Sequence, residues 1–357
     1  MLSNVTICEK GTRWMISQVL QHFRHLDLAA ATAEPLKNAG GFSGAQLWKI
    51  ESGQQSYCLR RWPDGVNLQR LAKNHQVLAK VAIQGCEFVP VPFCVAVDLS
   101  SQTIERNCYE FPSLLIAQSG IWQLEPWMRG RADFFERPSK TRLRAAAQAL
   151  ARFHLAVDSS HPGEEDVCPA IVDRTSMLER LMQKEFHQIA NHSRTYAPPH
   201  FASVIEHTEI GFKRLSRSMY ERLKMCLQLR VRVTPVIRDV WHDHVLFSGD
   251  QVTGIVDYGA MRDDSRAVDV ARMLGSFCEN EASLWQDAID AYRQISPLTD
   301  NELTLLPVLD QSTVLLSLVN WLRWLFVENR KFENAKDILP RMHHLCDRLR
   351  LWIEPIR

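Results

Sequence analysis

Apolar positions along the chain change period several times, and each change predicts an element. Trp14, Met15, Val19, Leu20 and Phe23 recur at helical spacing and predict an amphipathic helix from Thr12 to about Arg24. Two alternating runs follow, one through Gln46–Ile50 and one through Tyr57–Trp62, separated by the turn residues Ser52, Gly53 and Gln54; they predict a strand pair. Leu68, Leu71, His75, Leu78 and Ala79 fall near one stripe and predict a helix over Val66–Val81. After Pro90-Val91-Pro92, the apolar stretches Phe93–Val97 and Phe111–Ala117 read as further strands of a small sheet. Beyond the Pro- and Gly-bearing stretch Trp122–Gly130 the helical period dominates: Lys140–Val157, Met177–Phe186, Ile210–Leu227 and a Trp-rich helix over Leu315–Phe326, with Asp158–Val167 as a polar loop.

One stretch breaks this helical regime. In VIRDVWHDHVLFSGDQVTGIVDYG, from Val236 to Gly259, Val245–Phe247 reads as a strand, Ser248–Gln251 as a turn and Val252–Val256 as the returning strand. Asp239 precedes the hairpin and Asp257 follows it. Such a pair suits one carboxylate that accepts a proton from a hydroxyl and another that holds a divalent cation on a phosphate.

Composition narrows the partners. The chain has 357 residues, 46% hydrophobic and 23% charged, and 42 basic against 41 acidic residues give a net charge of +1. That balance supplies no field for nucleic acid or an anionic membrane, so a small molecule is the expected partner. Nine cysteines without a C-x-x-C pair speak for reduced thiols and a cytoplasmic location rather than a disulfide framework or structural zinc site. The N-terminal stretch carries charges where a signal peptide needs apolar residues. No apolar stretch reads as long enough to cross a bilayer, Thr313–Phe326 being the nearest and more suited to a buried helix.

The loop and hairpin resemble the aminoglycoside phosphotransferase and choline kinase group, whose pattern is His-Gly-Asp-Leu-His-Pro-Gly-Asn, a hairpin, then Asp-Phe-Gly. The corresponding residues are Ile237 through His244 and Asp257-Tyr258-Gly259. The resemblance implies an α+β, bilobal, protein-kinase-like fold: a small antiparallel-sheet N-lobe over residues 1–125 that binds nucleotide, and a larger, mainly helical C-lobe over 126–357 with the catalytic loop and acceptor site. It further implies ATP and Mg²⁺ as cofactors, and transfer of a phosphoryl group to a small-molecule hydroxyl. Asp239 becomes the catalytic carboxylate and Asp257 a metal ligand, with Gly259 easing the exit from the strand. Arg238, beside Asp239, is a candidate to reach the transferred group.

The same resemblance gives the Gly-rich turn at Gly40, Gly41, Ser43 and Gly44 a phosphate-cradling role, because glycines let backbone N–H groups approach an anion. It makes Arg60, in Leu59-Arg60, the basic residue of the following strand that pairs with the phosphates, and alternation leaves Arg60 to point under the turn. Gln123, Glu125 and Trp127 fall on the hinge whose backbone faces adenine. His154 lies on an apolar stripe and suits a core role, and Asp269 in Asp269-Val270-Ala271-Arg272 suits a structural one.

Three positions depart from the pattern. Ile237 stands for the first His. His244 stands for the metal-binding Asn, which brings Mn²⁺ in as an alternative to Mg²⁺. No carboxylate occurs between Val66 and Val81, so Asn74 occupies roughly the place of the glutamate that orients the basic residue. These departures leave open a catalytically silent pseudokinase that binds nucleotide or a protein partner. His242-Asp243-His244 also permits a metal centre for hydrolysis, with residues 242 and 244 facing one way at a strand entrance.

Overall fold

A computed structural model describes residues 14–36, 44–96, 110–332 and 335–353. The chain forms two compact units, the first comprising the residues up to Gly130 together with Thr253–Gly259, the second Arg131–Val252 and Ala260–Arg357. The reading of the sequence as 1–125 and 126–357 did not include a return of the chain to the first unit.

The first unit is built on a sheet of order β1-β2-β3-β5-β4, in which β1 is Thr32–Pro35, β2 Gln46–Ser52, β3 Gln55–Trp62, β4 Leu115–Ala117 and β5 Gly120–Pro126; every neighbouring pair is antiparallel. Alternation along β3 sends Tyr57 and Leu59 to one face, where Trp48, Ile50, Trp122 and Leu124 meet Ile16, Val19 and Phe23 of the N-terminal segment. That segment, helical over residues 14–20, therefore exists to cover the sheet. The opposite face carries Cys58, Arg60 and Trp62. Trp62 packs there with Leu71 and Ala72 of the helix Leu68–Ile83, whose start is capped by Asn67 accepting from the Arg70 N–H at 2.8 Å.

Two expected strands are corrected. Residues 91–96 are not in a ladder: the N–H groups of Phe93, Val95 and Ala96 donate to Leu124, Pro112 and His22 in turn. Pro90 and Pro92 have no N–H to continue a regular pattern. Of Phe111–Ala117 only Leu115–Ala117 is a strand, because the chain first turns, with Leu114 N–H bonded to the Phe111 carbonyl.

The second unit is helical, with Lys140–Ser160, Pro169–Arg180, Phe186–Tyr196, Ala202–Cys226, Arg266–Phe277, Ala282–Arg293, Asp300–Leu322 and Ala335–Ile353 as its α-helices among the described residues. The helix expected over Met177–Phe186 is instead the junction of two helices through a π-helical turn, Leu181–Glu185. The expected loop Asp158–Val167 contains a short strand, β6 (Glu164–Asp166), which joins β7 (Val231–Val236) and β10 (Arg262–Ser265) in a sheet of order β10-β7-β6. β8 (Val245–Ser248) and β9 (Gln251–Ile255) make the two-stranded element expected after Asp239.

The Trp-rich helix is longer than the sequence reading allowed. From Asp300 it runs through a π-helical turn to Val327, 28 residues, long and apolar enough by length and composition to cross a membrane, with 67% of its apolar window buried inside the protein. Its apolar residues are those of a core helix. Asp310 in its middle is buried in a bidentate pair with Arg348, at 2.7 and 3.2 Å.

Candidate active site

In the first unit Arg60 emerges from β3 only 5% exposed, and its Nη1 donates to Asp257 Oδ1 at 3.0 Å. Burial pulls this guanidinium down, but the carboxylates of Asp257 and Glu125 outweigh it and hold its pKa above the ordinary value. Its Nε is buried without a hydrogen-bond partner among the described residues, a donor left over by the protein itself. Asp257 sits at φ 64, a left-handed conformation a non-glycine residue holds only where its surroundings impose it. Gly259 serves a different purpose from the expected sharp exit: a Cβ there would come within 3.1 Å of the Trp62 ring.

The cross-strand neighbours of this arginine are Gln123, opposite Arg60, and Glu125, opposite Cys58. Their side chains, rather than their backbone, carry the local chemistry. Gln123 Oε1 accepts from Trp62 Nε1 and from His75 Nε2, each at 3.0 Å, and its Nε2 donates to Glu125 Oε2. The amide oxygen can only accept, so His75 carries its proton on Nε2 and Nδ1 accepts from Ser113 Oγ at 2.6 Å. Burial lowers His75 to about 4 and raises Glu125, Arg60 opposing the latter.

Asn74, at the expected place of the orienting glutamate, is buried and lines the same small cavity as Arg60, His75, Gln123 and Glu125. Charge on Arg60 is thus balanced from Asp257 and β5 instead of from the helix. Trp127 is 38% exposed and its N–H donates to the Ser56 carbonyl, because pairing of β5 with β3 runs through to Pro126. Gly44 has φ 75, as its turn requires. Gly40, Gly41 and Ser43 lie outside the described residues.

In the second unit the loop after β7 is organised by Asp269, fully buried on the helix Arg266–Phe277. Its Oδ2 accepts from the Ile237 N–H at 2.7 Å and from His154 Nε2 at 3.0 Å, and its Oδ1 accepts from the Arg238 N–H. His154 completes the chain by taking the Tyr292 hydroxyl on Nδ1 at 2.7 Å. Both residues are therefore structural, as the sequence suggested. Because the backbone N–H of residue 237 makes the contact to Asp269, an isoleucine side chain can occupy that position buried among apolar groups.

Arg238 has φ 71 and its guanidinium is tied to the buried Asp264, Nη1 to Oδ2 at 2.7 Å. Burial pulls its pKa below the ordinary value, with Asp264 opposing. The side chain is an anchor of the loop through Asp264. The guanidinium that does reach Asp239 is Arg272, whose Nε and Nη2 lie 3.2 and 3.0 Å from Oδ1. A sequence signal for it existed: Asp269 and Arg272, three apart on one helix, share a face and so address the same loop.

His242–His244 is a 3-10 turn, not a strand entrance, and the two imidazoles have separate partners. His242 Nδ1 meets Ser276 Oγ at 2.8 Å, and burial lowers its pKa to about 4. His244 Nδ1 donates to the Asp239 carbonyl at 2.8 Å. Among the described residues no group of three His, Cys, Asp or Glu side chains could hold a metal ion, so the hydrolytic metal centre has no support.

Parts of the chain resemble homoserine kinases: 28% identity to that of Rhizobium johnstonii over 113 residues, 30% of this chain and 35% of the relative. The match to the homoserine kinase of Methylobacterium nodulans is 36% over 93 residues, 24% and 29% respectively. The chain thus spans about a third of the length of the curated relatives it matches. Among solved structures, a spectinomycin phosphotransferase in complex with ADP and spectinomycin superposes with a TM-score of 0.59 at 10% identity, covering 91% of this chain and 89% of that one. An aminoglycoside phosphotransferase from Alicyclobacillus acidocaldarius gives 0.56 at 13%, with 89% of each chain covered. A choline kinase from Streptococcus pneumoniae gives 0.53 at 12%, covering 96% and 99%. The fold is protein-kinase-like. With its residues 36–302 matching the model of the phosphotransferase enzyme family, the chain belongs to that family.

Proposed function

We propose that the protein is an ATP-dependent phosphotransferase acting on a hydroxyl of a small molecule. The observation that carries this reading is the setting of Asp239: a partly exposed carboxylate, 38% accessible, held through Oδ1 by both nitrogens of Arg272 on a loop pinned by Asp269. Clamping one oxygen leaves Oδ2 to receive the acceptor's proton. The acceptor oxygen then attacks the γ-phosphorus, the bond to the bridging oxygen breaks, and ADP leaves. Since such transfer depends mainly on alignment and charge stabilisation, a fixed, weakly basic carboxylate suffices.

In the first unit Arg60 and Asp257 would hold the nucleotide phosphates and their metal ion, with the segment Gln123–Trp127 serving the base. Mg²⁺ or Mn²⁺ would neutralise charge on the phosphates. The orphan Nε of Arg60 supports the fit. His244, at the expected place of the metal-binding Asn, keeps Mn²⁺ as the alternative to Mg²⁺.

Thermal-shift titration with ATP and each metal, followed by ATP turnover on a panel of hydroxyl compounds, tests the reading. Nucleotide should raise the melting temperature, and Asp239→Asn should lower kcat by roughly a hundredfold or more. No shift with any nucleotide, or equal turnover by the variant, refutes it.

A further inference from the structure

Arg60 is placed from its own sheet. Its guanidinium lies on the Trp62 ring, two residues along the same strand face, with Cζ 4.8 Å from the ring centre, and its Nη1 is bonded to Asp257 at 3.0 Å. The ring is gripped at two places. Its Nε1–H donates to the Gln123 amide oxygen at 3.0 Å, and its six-membered part comes so close to Gly259 that a Cβ there would stand 3.1 Å from it.

The amide that holds Trp62 has one orientation. An indole Nε1–H only donates, so the atom of Gln123 that meets it is the oxygen, which leaves the amide nitrogen to donate to Glu125 Oε2. The same oxygen takes a second bond, from His75 Nε2 at 3.0 Å. Pairing of Arg60 with Gln123 and of Cys58 with Glu125 puts all four side chains on one face of the sheet, and Arg60, Trp62, Gln123 and Glu125 line one small cavity. Gln123 is 4% exposed and Glu125 7%, so water does not compete for these bonds. The helix Leu68–Ile83, which carries no carboxylate, reaches the cluster through the neutral His75.

We propose that Gln123 is a positioning residue for Arg60: with its amide oriented by Glu125, it fixes the Trp62 ring on which the phosphate-binding guanidinium lies. Orientation from β5 thus takes the place of a glutamate on the helix. The inference rests on the phosphotransferase reading in so far as Arg60 meets the nucleotide phosphates.

The test uses the full chain and calorimetry with three probes: ATP, inorganic tripolyphosphate and adenosine. Gln123→Met removes the amide at similar volume. It should weaken ATP and tripolyphosphate roughly tenfold and leave adenosine within about twofold. In an Arg60→Met background the same substitution should change ATP affinity by less than about twofold, which a merely structural loss would not obey. Trp62→Phe keeps a ring under the guanidinium but removes the Nε1–H; it should show the same pattern, and it decides the matter where Gln123→Met does not fold.

Equal losses for adenosine and ATP, a loss that persists without Arg60, or no binding of tripolyphosphate by the wild type at millimolar concentration overturns the positioning role. Tripolyphosphate affinity that falls in the variants of a protein turning over no ATP supports the role while counting against phosphotransfer. ATP turnover with unchanged tripolyphosphate affinity in both variants does the reverse.

Discussion

Replacing Asp269 by Asn changes one atom at the point where the catalytic loop is fastened. Three donors meet this carboxylate: Ile237 N–H and His154 Nε2–H on one oxygen, Arg238 N–H on the other. An asparagine has one acceptor oxygen. In its better orientation it keeps the two donors on the Oδ2 side and turns its NH₂ against the Arg238 N–H, so one charge-assisted bond is lost, about 1.5–3 kcal/mol. The two that remain fall to neutral strength, about 1 kcal/mol less for the pair. Arg238 is also the residue at φ 71, a backbone conformation that costs about 1–3 kcal/mol and persists only under such restraint.

The lost bonds sum to a destabilisation of roughly 2.5–4 kcal/mol, somewhat offset because no charge is then buried. At about 2–4 °C per kcal/mol the melting temperature should drop by roughly 5–16 °C. Urea denaturation followed by tryptophan fluorescence gives the free energy, and hydrogen exchange at residues 237 and 238 localises it. A variant that melts within about 2 °C of wild type would show that the loop does not depend on these bonds.

Gly259→Ala should destabilise the first unit by about 1–3 kcal/mol, since its Cβ would press on the Trp62 ring that Gln123 holds in place; an unchanged melting curve would dismiss that contact. His75 has a pKa of about 4 when folded against an ordinary 6.5. The unfolded chain therefore binds more protons between these values, and stability falls as pH drops from 6.5 to 4, by about 3 kcal/mol from this group. Urea midpoints of wild type and His75→Gln at pH 7.5 and 4.5 check the sign: the gap between them should narrow at the lower pH, and a gap independent of pH would be contrary to a buried neutral imidazole.

What local pattern could reveal, it did. Alternation along β3 chose Arg60 over Arg61, and Arg60 is the buried one, bonded to Asp257. Turn residues between two apolar runs located β8 and β9, and the stripe bearing His154 was correctly given to the core. The misses share a physical origin in partners distant along the chain. Arg272 reaches Asp239 across 33 positions, a distance over which periodicity says nothing. Arg238 looked available because it neighbours Asp239, yet its positive φ turns it to Asp264. The stretch after Pro92 is apolar and extended like a strand, but its donors go to three separate segments, which hydrophobicity cannot foretell.

The return of Thr253–Gly259 to the first unit has a consequence for how the protein is made. When a ribosome has completed Gly130, the five-stranded sheet exists in sequence but Asp257, the counter-charge of the buried Arg60, is still 127 residues away. At about 5–20 residues per second, that interval lasts on the order of ten seconds. Through it Arg60 has Glu125 on β5 but not Asp257 to offset its charge, so its burial is incompletely compensated and β3 stays frayed at its end. A nascent chain arrested after Gly130 should therefore be cleaved by protease near Arg60, and one extended beyond Gly259 should be protected there.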